Sequence, residues 1–218
     1  MLTMIAWIAL VIGIICSIVI LIDVVRHPQQ MAIMNVVWPV NGWFFGPIAI
    51  WTYYKWGRKN AKNLQIDQQK GEMGQGFVST SHCASGCTLG DIVGVPIVAI
   101  TGLTIVGSTL FAHYFVEFVL AYVFGILFQF LAIYPMNKKQ GIRNAIKSAI
   151  KADTISLIAF EIGMFGWMAL VHYVFFTQPP APSQITYWFM MQIAMILGFL
   201  TSFPANKLLV RKGIKHAM

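Results

Sequence analysis

From Met1 to Ile22 the chain carries no charged side chain, and five further stretches of similar length carry at most one each. A helix needs roughly 20 apolar residues to cross the hydrocarbon of a bilayer. Inside lipid every backbone polar group must be satisfied within the chain, which leaves helices as the economical way across. The runs at about 4–22, 33–54, 89–111, 114–134, 154–176 and 185–205 therefore predict an all-α, polytopic bundle of about six transmembrane helices. Charged residues make up 10% of the chain, against about 25% in soluble domains. The connections are too short for a separate soluble unit, so 1–218 reads as one transmembrane domain. The polar, glycine-bearing stretch 55–82 is expected to be a loop. In 139–152, isoleucines four apart alternate with cations, which predicts an amphipathic helix on the membrane surface.

Lysine and arginine set the expected orientation. Lys55, Arg58, Lys59, Lys62 and Lys70, then Lys138, Lys139, Arg143, Lys147 and Lys151, then Lys207, Arg211, Lys212 and Lys215 fall on one side of a six-span chain, with Arg26 alone on the other. The positive-inside rule then places both termini in the cytoplasm of a multi-pass inner-membrane protein. Arg26, following a first span with no cation before it, argues locally for the opposite orientation. The N-terminus lacks a charged n-region and a small-residue cleavage site, so the first span is expected to be retained. Topology accounts for the net charge of +8 without nucleic acid. The partners expected are the bilayer, anionic lipid at the basic face, and a second copy of the chain if it is a homo-oligomer.

The chemistry concentrates in "SHCASGCTLGD", Ser81 to Asp91. On a helix, Cys83, Cys87 and Asp91 recur every four residues and so share a slowly drifting face. With His82 the two thiols offer a soft donor set suited to copper(I) or zinc. Gly86, Gly90 and Gly94 keep the same interval, and small residues so spaced let helices approach closely in lipid. The stretch thus reads either as a metal site at His82, Cys83 and Cys87 or as a packing seam. Asp91 and Glu161 are ionisable residues inside spans, which mark ion paths, proton relays or paired interior sites. Gln129 and Gln192 extend this polar transmembrane set. Asp153, in "KAD" before "TISL", reads as a helix N-cap. Met164 and Met168 share a face of one span and Met191 and Met195 a face of another, either as core filler or as a thioether path for copper(I).

The blocks "WPVNGWFFGPIAIWTYYKWGR", "HCASGCTLGDIVG", "KADTISLIAFEIGMFGWMAL" and "YWFMMQIAMILGFLTSFPANKLLVRKGIKHAM" resemble those of the domain-of-unknown-function 4396 family of prokaryotic membrane proteins. The resemblance implies a multi-span integral membrane protein and no particular activity. His82, Cys83, Cys87, Asp91, Asp153 and Glu161 stand inside its blocks.

These readings converge on a membrane protein that binds or moves a soft metal ion, with His82, Cys83 and Cys87 as its cytoplasmic site. The cofactor is otherwise unknown. The alternatives are a proton-coupled small-solute transporter using Asp91 and Glu161, and a non-transporting subunit that docks a partner. No nucleotide-binding loop is present, and enzymatic activity is not expected.

Overall fold

A computed structural model describes residues 1–58, 71–136, 141–213 and 215. Seven helices are described: α1 (Leu2–Arg26), α2 (Met34–Phe45), α3 (Pro47–Thr52, prolonged by a π-helical turn Tyr53–Gly57), α4 (Gly71–Thr101), α5 (Thr109–Met136), α6 (Gly141–Leu170, prolonged by a π-helical turn Val171–Phe175) and α7 (Ile185–Arg211). Among the described residues five helices are long and apolar enough to cross a membrane, namely α1, α4, α5, α6 and α7.

The expected second span does not run straight. Proline has no N–H to continue a helical ladder, so Pro47 leaves the Trp43 carbonyl without its normal partner four residues on. At Gly46 the backbone turns to φ 55, a conformation that glycine adopts without strain. The chain reverses there. In a straight helix residues 38 and 57 would lie roughly 28 Å apart, yet the Trp38 ring packs directly on Gly57 and lies 5.4 Å from the Tyr53 ring. Tyr53 Oη donates to Asp23 Oδ2 at 2.8 Å, and Arg58 Nε reaches the same oxygen at 3.2 Å. Residues 34–57 therefore form a helical hairpin, both ends of which lie beside the C-terminal end of α1. Gln192 of α7 satisfies the freed carbonyl, its Nε2 donating to Trp43 O at 2.7 Å. Of the six runs expected to span, five lie in long helices among the described residues and the second forms this hairpin, and Gln192 serves the helix break.

Two boundaries also move. The helix α4 begins at Gly71, so 71–82 is helix where a loop was expected. Gly76 faces α7, where a Cβ added to it would meet the Phe203 ring and Lys207 Cβ at 3.5 and 3.6 Å, ordinary packing distances. Residues 139 and 140 lie outside the described residues, as do Lys59, Lys62, Lys70 and Lys138. From Gly141 onward no separate surface helix forms, because neither glycine nor proline interrupts 142–162 and α6 runs on into the bundle. Ala145 and Ala149 pack against Ile133 of α5, while Ile142, Ile146 and Ile150 face outward. Asp153 consequently lies well inside α6 and caps nothing.

The helices α4, α5, α6 and α7 alternate in direction. Gly86, Gly90 and Gly94 pack against Gly125, Ala121 and Glu117 of α5, the antiparallel seam that the glycine interval predicts. Tyr114 Oη donates to Phe165 O of α6 at 2.7 Å, and Thr201 Oγ1 of α7 donates to Ala159 O at 2.7 Å. One end of the bundle therefore gathers the starts of α4 and α6 and the ends of α5 and α7, together with their cations. The other carries the turn after Thr101 and the proline-rich 177–184 segment.

Candidate functional site

The side chains within these four helices are unusually acidic for an apolar bundle. Of the seven Asp and Glu in the chain, Asp91, Glu117, Asp153 and Glu161 are buried. The helix α4 supplies Cys83, Cys87 and Asp91 along one face, α5 supplies Glu117, and α6 supplies Asp153, Ser156 and Glu161.

Towards the basic end, the Cys83 thiol donates to Ser156 Oγ at 3.5 Å. One turn on, Cys87 neighbours Cys83 and has Glu161 and Asp153 within electrostatic reach. The Cys87 thiol faces the Glu161 carboxyl as a weak donor. Asp91 follows, with Glu161 and Glu117 as its electrostatic neighbours. No N–H or O–H among the described residues hydrogen-bonds any of the four carboxylate oxygens of Asp91 and Glu161. Glu117 is held by His113, whose Nδ1 lies 2.9 Å from Oε1. These two residues line a cavity of about 490 Å³ at the opposite end, walled by Tyr114, His172 and Tyr187 and edged by Pro179 to Ser183. The acids and thiols thus form a series from the Asp153 end to this cavity.

A buried ionised carboxylate without a partner costs several kcal/mol or more, and such groups end up neutralised or paired. Asp91 and Glu161 must therefore each hold a proton or face a cation. Two acids close together also give a bound proton or cation more than one resting place.

The predicted donor trio does not assemble. Consecutive helical residues point about 100° apart; Cys83 and Cys87 face α6, whereas the His82 ring meets Phe128 of α5 at 5.9 Å. Among the described residues no group of three His, Cys, Asp or Glu side chains is placed to hold a metal ion. Both thiols do share one buried core with Met164, Met168, Met191 and Met195. Gln129 is buried, and neither atom of its amide has a hydrogen-bonding partner among the described residues. Cys16 is buried in α1, away from the other two.

Two residues escape the sequence reading. Glu117 falls in the predicted span 114–134 and is not singled out there, although His113 and Glu117 stand four apart, the interval of a helical pair. Lys215 reads as one more cation of the tail, yet it is buried, with Nζ 3.4 Å from Asp153 Oδ1.

The family model described as a domain of unknown function (DUF4396) matches residues 74–215. No curated protein and no solved structure matches the chain.

Proposed function

We propose that this chain, which by that match belongs to the family of domain of unknown function 4396, is a proton-coupled transporter of a small solute. Its path follows Asp153, Cys87, Glu161, Asp91 and Glu117 to the 490 Å³ cavity. The observation that carries the reading is the pair of buried carboxyls, Asp91 and Glu161, whose oxygens receive no N–H or O–H among the described residues. Ionisable residues at such depth mark proton relays and ion pathways in membrane bundles. The cavity, with a held carboxylate at its floor and tyrosines on its walls, suits a small solute carrying positive charge.

We also infer an orientation, taking the five long helices as the crossings. An odd number of crossings puts the termini on opposite faces, and a hairpin that leaves where it came in adds none. Among the described residues Arg26, Lys55 and Arg58 then join Arg143, Lys147, Lys151, Lys207, Arg211, Lys212 and Lys215 on one side. The conflict between Arg26 and the rest disappears. By the positive-inside rule that side is cytoplasmic, with the N-terminus outside and the C-terminus inside an inner membrane.

The test uses proteoliposomes loaded with a pH-sensitive dye and challenged in turn with small organic and inorganic cations. Wild-type protein should couple uptake of at least one of them to proton movement. Glu161→Gln and Asp91→Asn, which keep shape and remove charge, should abolish coupling while expression and monodispersity hold. Undiminished coupled flux in both variants would sink the proposal.

A second reading rests on Cys83 and Cys87 lying in one core with four methionines, a set of soft donors suited to copper(I). Titration with copper(I) under reducing conditions separates the two readings, since only this one requires tight binding that disappears in Cys83→Ser and Cys87→Ser.

A further inference from the structure

At Asp153, where the proposed transport path begins, the basic end of the bundle holds a lysine where lysines are rarely found. Lys215 is 2% exposed, whereas long cationic side chains ordinarily keep their charged head in water. Its Nζ meets three acceptors: Asn206 Oδ1 at 2.7 Å, Ser156 Oγ at 3.3 Å and Asp153 Oδ1 at 3.4 Å. A lysine ammonium has three N–H donors, so the number of acceptors matches the group.

The acceptors are held in place without the lysine. Ser156 gives its own hydroxyl hydrogen to Asp153 O at 2.9 Å, and Asn206 gives an amide hydrogen to Ser202 O at 3.1 Å. Both side chains therefore turn lone pairs towards Nζ as a result of bonds made within α6 and α7. The Asp153 carboxylate supplies the charge, and its second oxygen, Oδ2, is buried beside Gly125 of α5 with no hydrogen-bonding partner among the described residues. A site built this way survives withdrawal of the tail, and what it then presents is a buried negative charge with two oriented neutral oxygens.

We propose that Asp153, Ser156 and Asn206 form a binding site for a primary ammonium group, either a free ammonium or alkylammonium ion or a lipid headgroup amine, and that Lys215 fills it from within the same chain. The tail acts as a tethered competitor: an external ammonium enters as Lys215 leaves. Breaking one half of a buried charge pair is costly chiefly because the other half is left uncompensated, which is why an external cation should restore what removal of the lysine takes away.

The experiment compares full-length wild-type protein with Lys215→Ala in detergent, reading the thermal unfolding midpoint in methylammonium chloride and, at equal concentration, in tetramethylammonium chloride, which has no N–H. Lys215→Ala should unfold earlier than wild type, and methylammonium should recover most of the loss in a saturable manner that tetramethylammonium does not reproduce. Wild type should not distinguish the two salts. Adding Asp153→Asn to Lys215→Ala should remove the response. If Lys215→Ala does not fold, Lys215→Met keeps the stem and is read by the same criteria. Phosphatidylethanolamine in place of methylammonium reports the lipid source, and a response to either one sustains the site. A folded variant indifferent to both, or a wild type that responds as strongly as the variant, overturns it.

Discussion

Replacing Gly90 by alanine tests how closely α4 and α5 are joined. A Cβ at this position would fall on the Ala121 backbone nitrogen, 2.5 Å from Ala121 Cα and 2.8 Å from Leu120 C. Carbon atoms settle at about 3.5–4.0 Å, so the helices would have to part by roughly 1 Å. The obstructing atoms are backbone and have no rotamer to escape into, which puts the cost near the upper end of overpacking, about 3 kcal/mol. Alanine regains up to about 1 kcal/mol of helix propensity over glycine, leaving a net loss of about 2 kcal/mol. For a chain of this length that corresponds to a midpoint lowered by roughly 4–8 °C, measured by thermal unfolding in detergent. Gly166→Ala is the control, because its Cβ would meet nothing within 4 Å, and its midpoint should match or slightly exceed wild type. A Gly90→Ala protein as stable as Gly166→Ala would refute the close seam. Because Asp91 is the next residue and Glu117 lies across the seam, Gly90→Ala should also impair coupling more than its stability loss explains.

Two further outcomes follow from the hairpin and the crossing number. Trp38→Ala should cost about 3–5 kcal/mol, the range for buried tryptophan, because the 1% exposed ring is what α3 folds back upon; an unchanged unfolding midpoint would contradict the reversal at Gly46. In cells, a cysteine introduced at Thr3 should react with a membrane-impermeant maleimide from outside while one introduced at Lys212 stays protected, and protection at both would restore an even number of crossings.

Much of this structure is written locally. Apolar length alone locates α1 and the cores of α5, α6 and α7, and the four-residue glycine interval announces the α4–α5 seam. Asp91 and Glu161 stand out because a charge within an apolar run needs a reason. The separation of His82 from Cys83 is also local, since adjacent helical residues cannot share a face. What escapes is decided at a distance. Pro39 and Pro47 permit a kink, but a full reversal depends on Trp38 finding Gly57 and on Asp23 receiving Tyr53 and Arg58. Gly74 and Gly76 are the same letters in a loop and on the buried face of a helix, and only the distant partners that bury them tell the cases apart. Lys215 lies 62 residues from Asp153, and nothing near it in sequence marks it as buried.

The bond from Gln192 to Trp43 joins residues 149 apart, and this has a bearing on biogenesis. As the chain leaves the ribosome, the hairpin is made early and the helix that satisfies its broken turn is made last. Until α7 arrives, an orphaned carbonyl at the hairpin tip opposes deep burial in lipid. The hairpin should therefore wait near the surface, held by α1, and sink to its final depth only on completion of the bundle. Insertion of this segment is then a late folding step rather than a decision of the translocon, and translation stopped before residue 185 should leave residues 34–57 open to protease in a membrane where α1 is already protected.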